Sequence, residues 1–198
     1  VGGLTAAAAH WTLDPRHPAV VSIPTGAGKT AVAMAAPFVT PRPPGRVLVV
    51  VPSADLRRQT VERFSSQKDL LGIKAFEGLW EQAVKVTEVD SMIESWGELR
   101  PFDVVVALPT TISPHHYEAN PPPADLFDLV IVDEAHHASA TTWLAILEHF
   151  SAAFSLLLTA TPARRDGRRI PGKHVYHYPL RLALESGIYK PVEPVLLE

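Results

Sequence analysis

Four side chains with the means for phosphoryl chemistry stand in two short segments, Lys29 and Thr30 in the first and Asp133 and Glu134 in the second. The first segment reads Pro24-Thr25-Gly26-Ala27-Gly28-Lys29-Thr30. Gly26 and Gly28 let the chain curl so that backbone N–H groups point at phosphate oxygens. Lys29 supplies a charge for the β- and γ-phosphates, and Thr30 a hydroxyl for magnesium. The general phosphate-loop pattern begins with glycine, and Ile23 occupies that position here. The departure suits a variant in which proline, threonine and glycine lead into Gly-Lys-Thr. A plain glycine turn between strand and helix is the alternative. The second segment, Ile131 to His136, ends an apolar run in Asp133 and Glu134. One carboxylate can hold magnesium while its neighbour orients or deprotonates a water. An acidic helix N-terminus would explain the residue types but not their company with a phosphate loop.

These groups must be positioned by a scaffold, and the chain alternates strand-like and helix-like stretches. Ala19 to Ile23, Val47 to Val51, Val104 to Leu108, Leu129 to Val132 and Ser155 to Leu158 are short, nearly continuous apolar runs, as expected of strands buried on both faces. Lys85 to Val89 is a further strand. Helices are expected over Leu4 to Trp11, Lys29 to Val39, Ala54 to Ser65, Ser91 to Leu99 and Thr142 to Phe150. The alternation predicts an α/β domain, a mostly parallel sheet with helices on both faces. In such a sheet Lys29 and Asp133 meet at the carboxyl edge.

Composition narrows the classes. The chain has 198 residues, 46% hydrophobic and 20% charged, enough for one globular domain with a core. The net charge of −3 gives no global pull on nucleic acid, so such binding has to be local. There are no cysteines, which excludes disulfides and thiolate metal sites and suits a reducing, cytoplasmic setting. No apolar run is long enough to span a bilayer, so no membrane partner is expected. The start lacks a methionine and a basic signal-like region, and reads as the interior of something longer.

Taken together, the segments resemble superfamily 2 helicases and translocases of the DEAH-box kind. Pro24 to Thr30 is similar to motif I, Val51 to Gln59 to motif Ia, Asp133 to His136 to motif II, and Thr159-Ala160-Thr161-Pro162 to motif III. Asp133 to Ala138 and Leu158 to Gly167 are most similar to the type III restriction-enzyme helicase-subunit group, and Tyr176 to Pro191 resembles the tail of its first motor domain.

The resemblance implies a RecA-like P-loop NTPase fold, with residues 1–190 as the first RecA-like domain and residues 191–198 as a linker or the start of an absent second one. ATP and Mg2+ are the implied cofactors. Residues 24–30 would bind the nucleotide, Thr30 and Asp133 the metal, and Lys29, Asp133 and Glu134 would be catalytic with Glu134 as base. His136, Thr159 and Thr161 would couple nucleotide to motion; His137 is read equally as packing. Pro52, Ser53, Arg57, Arg58, Thr110 and Thr111 would approach nucleic acid, DNA in preference to RNA. A solvated helix face is the alternative for the two arginines. The basic run Arg164, Arg165, Arg168, Arg169 and Lys173 is a phosphate grip, a solvated loop or a face toward the second domain. The adenine-recognition glutamine motif and the arginine finger belong to segments outside the chain. An RNA helicase domain, or a nucleotide-binding regulatory module without turnover, is the alternative.

Overall fold

A computed structural model describes residues 1–70, 84–137, 141–161, 170–185 and 187. Pro162, Ala138, the four arginines of the basic run and residues 191–198 lie outside the described residues. The elements run α1 (Gly2–Leu13), β1 (Ala19–Ser22), α2 (Lys29–Ala35), β2 (Val47–Val50), α3 (Ala54–Ser66), β3 (Val86–Val89), β4 (Val104–Ala107) and α4 (Pro109–Ile112). They continue with β5 (Leu129–Val132), α5 (Thr141–His149), β6 (Phe154–Thr159), β7 (Lys173–His177) and α6 (Leu180–Glu185). The strands form one seven-stranded sheet in the order β3-β4-β2-β5-β6-β1-β7. Every neighbouring pair is parallel.

Side-chain alternation shows why the strands read as solid apolar runs. Val47 and Val49 face one core with Val104, Val106, Leu129 and Ile131. Leu48 and Val50 face a second core with Val105, Val130 and Val132. Trp11 of α1, Met34 of α2 and Phe64 of α3 close the first core. Ile112, Trp143 and Ile146 close the second. With both faces covered, no strand position of the central sheet is left for a polar residue to mark a surface.

Two expected helices are shorter. The helix begun at Lys29 is α-helical only to Ala35, and Ala36–Val39 tighten into a 3-10 turn. Pro37 lacks the N–H that would continue the α pattern. Over Ser91 to Leu99 only a 3-10 turn, Trp96–Leu99, forms. There the Ile93 amide donates to the Tyr117 hydroxyl at 3.1 Å and the Trp96 indole to the Asn120 carbonyl at 2.9 Å. Those long-range bonds take the place of a helix ladder.

β7 is an edge strand the hydrophobic pattern does not announce: Lys173, His174 and His177 are exposed, and only Val175 and Tyr176 pack inward. It is anchored at its start by Gly172, whose φ is +105° and where a Cβ would come within 2.4 Å of the Pro18 carbonyl oxygen. The Lys173 amide donates to that oxygen at 2.8 Å.

Candidate active site

Because the sheet is parallel, the segments that follow β1, β2, β4, β5 and β6 all leave from its carboxyl edge. The loop after β1 is tied down first. The Ile23 amide donates to the Thr159 carbonyl at 2.9 Å, joining the ends of β1 and β6, and the Ala27 amide donates to the Pro24 carbonyl at 3.1 Å. Gly26 and Gly28 have φ of +80° and +95°. A Cβ at Gly28 would meet nothing within 4 Å, so the requirement is for the left-handed backbone and not for space.

Lys29 is buried although it is a lysine at the start of a helix. Its ammonium donates to Glu134 Oε1, 105 residues on, and lies 3.6 Å from Asp133 Oδ1. The two acidic side chains keep about a quarter of their surface exposed, against 9% for the lysine. Asp133 Oδ1 also accepts the Glu134 amide at 2.9 Å. Burial pushes the Asp133 carboxyl above its ordinary range, and Lys29 opposes that only in part. Two carboxylates thus share one ammonium, an arrangement short of one positive charge.

Glu134 is held at φ +52°, in the left-handed region that non-glycine residues rarely enter. Such a conformation costs on the order of 1 kcal/mol and persists where the surroundings fix it. His136 Nδ1 lies 3.3 Å from Glu134 Oε2, and the His136 and His137 ring centroids are 4.2 Å apart. At the end of β6 the Thr159 hydroxyl donates to the Thr161 carbonyl and accepts the Thr161 amide, both at 3.1 Å. Thr30 Oγ1 accepts from Arg63 Nη1 of α3 at 2.7 Å.

The edge further along carries the residues expected to meet nucleic acid, and they divide. Pro52 is half-buried, and Ser53 is exposed, its hydroxyl accepting the Leu56 amide at 3.3 Å as the cap of α3. Arg58 is exposed and pairs with Asp55 one turn away. Arg57 is different: it is buried, with Nε donating to Glu88 at 2.7 Å and Nη1 to the Val89 carbonyl at 2.9 Å. Its guanidinium ties α3 to the carboxyl end of β3. Thr110 is exposed, whereas the Thr111 hydroxyl turns inward, 3.2 Å from both the Val89 and the Leu108 carbonyls.

Two features lay outside the sequence reading. Arg63 looked like any cation on a solvated helix face. A mainly apolar cavity of about 350 Å³ adjoins the glycine loop after β1, lined by Leu4, Ala27, Gly28, Ala31, Tyr176 and Tyr178. It is assembled from α1, the loop and β7 with the residue beyond it, so no single segment signals it. Among the described residues no cluster of His, Asp, Glu or Cys suits a protein-only metal cage, and no helix is long and apolar enough to cross a membrane.

The parallel sheet, with its Gly-Lys-Thr loop and Asp-Glu pair joined across the carboxyl edge, has the RecA-like fold, and the family model places it in the helicase and translocase motor class. The profile of the type III restriction enzyme res subunit matches residues 4–164, and the chain belongs to that family. Among curated proteins it is 36% identical over 80 residues to the type I restriction enzyme EcoAI endonuclease subunit of Escherichia coli, covering 37% of this chain and 10% of that one. It is 28% identical over 158 residues to the DNA 3'-5' translocase XPB2 of Sulfurisphaera tokodaii, covering 80% of this chain and 30% of that one. The chain therefore spans less than a third of the length of either relative. The UvsW helicase from bacteriophage T4 shares the fold, with a TM-score of 0.60 at 16% identity, over 88% of this chain and 58% of that structure.

Proposed function

We propose that this chain is the MgATP-binding first motor domain of a DNA helicase or translocase, acting with a second RecA-like domain. The observation that carries the reading is the Lys29 ammonium set between Asp133 and Glu134 beside a left-handed glycine loop. The donor set fits the cofactor. The open space at Gly28 admits a phosphate against the backbone, and the crowded carboxylates lack the positive charge that a divalent ion brings. The adjoining cavity, with its two tyrosines, suits a flat base. The XPB2 relative, named as a DNA translocase, supports DNA as the polymer.

Bound MgATP supplies the phosphoanhydride to be broken and a Lewis acid on its oxygens. The residues of the chain do the rest. With nucleotide bound, Lys29 would turn from Glu134 to the phosphate oxygens, leaving the Glu134 carboxylate free. Glu134, fixed by its left-handed backbone and by His136, accepts the proton of the attacking water. Asp133 and Thr30 would hold the metal. His136, 3.3 Å from Glu134 Oε2, and the Thr159–Thr161 turn at the end of β6 would pass a change at the nucleotide to the neighbouring surface. Ser53, Pro52, Arg58 and Thr110 meet the nucleic-acid backbone. Arg57 fixes α3, which carries Arg58, to β3.

The test is ATP hydrolysis by the longer protein that contains this domain, with duplex DNA, single-stranded DNA and RNA. We expect stimulation by DNA, loss of turnover with retained nucleotide binding in Glu134→Gln, and loss of both in Lys29→Ala. Stimulation by RNA alone would assign the polymer otherwise. Parental turnover in Glu134→Gln would place the base elsewhere.

A further inference from the structure

Thr30 has a partner that phosphate-loop chemistry does not require. Arg63 stands in the last turn of α3, 33 positions away, and its Nη1 donates to Thr30 Oγ1 at 2.7 Å. The bond occupies one of the two lone pairs of the hydroxyl oxygen and sets a permanent positive charge against it. Magnesium binds oxygen at about 2.0–2.1 Å and demands near-octahedral geometry, so it needs a lone pair presented at one angle. A guanidinium and a divalent cation on the same oxygen repel each other across a few ångströms even where water reaches them. One of them has to leave.

We propose that Arg63 is a positioning residue that competes with magnesium for Thr30, and so sets the metal concentration at which nucleotide binds. The inference rests on the reading of Thr30 as a metal ligand given above. In the nucleotide-free protein Arg63 holds the hydroxyl in place and blocks it. Metal arriving with nucleotide displaces the guanidinium, which then turns to solvent. The device differs from that of Lys29, which exchanges a carboxylate for phosphate. Arg63 gives up a neutral oxygen to another cation, and its removal should ease metal binding.

The experiment is a magnesium titration of the binding of a methylanthraniloyl-labelled ADP, followed by fluorescence, in wild type, Arg63→Ala and Arg63→Lys. The bond is exposed, so both variants should melt close to wild type. Arg63→Ala should lower the half-saturating magnesium concentration by about three- to tenfold, the scale of one ordinary solvent-exposed hydrogen bond. Metal-free affinity for the labelled ADP should change by no more than about twofold. Arg63→Lys, which keeps the charge but loses the fork, should fall between. An unchanged or raised magnesium requirement in Arg63→Ala overturns the proposal. So does a selective loss of metal-free affinity, which would make Arg63 a phosphate ligand. Failure of the wild-type chain to bind the probe at any magnesium concentration would instead remove the nucleotide-site reading on which the proposal stands.

Discussion

Replacing Lys29 by Met in the nucleotide-free domain removes a buried ammonium while keeping most of its apolar stem. The change leaves the carboxylates of Glu134 and Asp133 facing each other's charge. Breaking a fully buried ion pair costs roughly 3–5 kcal/mol. Here the carboxylate side chains retain 26% and 23% exposure, so water reaches them and the loss is about half of that, ~1.5–2.5 kcal/mol. For a chain of this size each kcal/mol lowers Tm by about 2–4 °C, so the midpoint should fall by about 3–10 °C. Glu134→Gln alone should cost no more than ~1 kcal/mol, because Lys29 keeps Asp133 at 3.6 Å. In Lys29→Met/Glu134→Gln only the Asp133 carboxylate remains, partly open to water, and its repulsion with Glu134 is gone. The double variant should therefore recover at least half of the loss. The assay is urea and thermal unfolding of the four proteins at neutral pH, read as a double-mutant cycle. A coupling of about 1 kcal/mol or more is expected. Strictly additive losses would show that the three groups do not share their charge as described.

Other consequences follow from single sites. Gly172→Ala forces a Cβ against the Pro18 carbonyl oxygen at a φ of +105°, and should destabilise by about 2 kcal/mol or more in denaturant titrations. Arg57→Ala should cost ~1–2 kcal/mol of stability by stranding Glu88 and the Val89 carbonyl. Arg58→Ala should leave stability within ~0.5 kcal/mol and act only on the salt dependence of DNA binding in the longer protein. The Asp133 carboxyl is raised in the folded state, so its contribution to stability is complete below the ordinary value of 3.8 and is lost as pH rises through the folded value. Asp133→Asn should accordingly flatten that part of the stability–pH profile and hold or raise the Tm of the nucleotide-free domain.

The parts legible in the sequence were those whose chemistry is local or whose burial is total. Gly26, Gly28, Lys29 and Thr30 form one turn into α2, and its left-handed glycines follow from the residue order. β2, β4 and β5 are buried on both faces, so their hydrophobic runs are unbroken. β7 escaped because an edge strand needs only one apolar face, and Val175 and Tyr176 among a lysine and histidines make a weak pattern. Ser91 to Leu99 has helix-compatible residues, but Tyr117 and Asn120 claim its hydrogen-bonding groups from a distance. Arg57 and Arg58 are consecutive, about 100° apart around α3, and only the position of Glu88 on β3 decides which is buried. Thr110 and Thr111 separate for the same reason. No local rule reads Arg63 onto Thr30, since that contact depends on how α3 lies beside α2.

The most direct measurement of the central claim is calorimetric titration of the chain with MgADP, in wild type and Lys29→Ala. The phosphate-loop assignment predicts one saturable site per chain, requiring magnesium. Lys29→Ala should weaken it by roughly 1.5–3 kcal/mol, the worth of a charge-assisted contact to phosphate. Equal affinity in the two proteins would contradict the assignment of residues 24–30 as the nucleotide site.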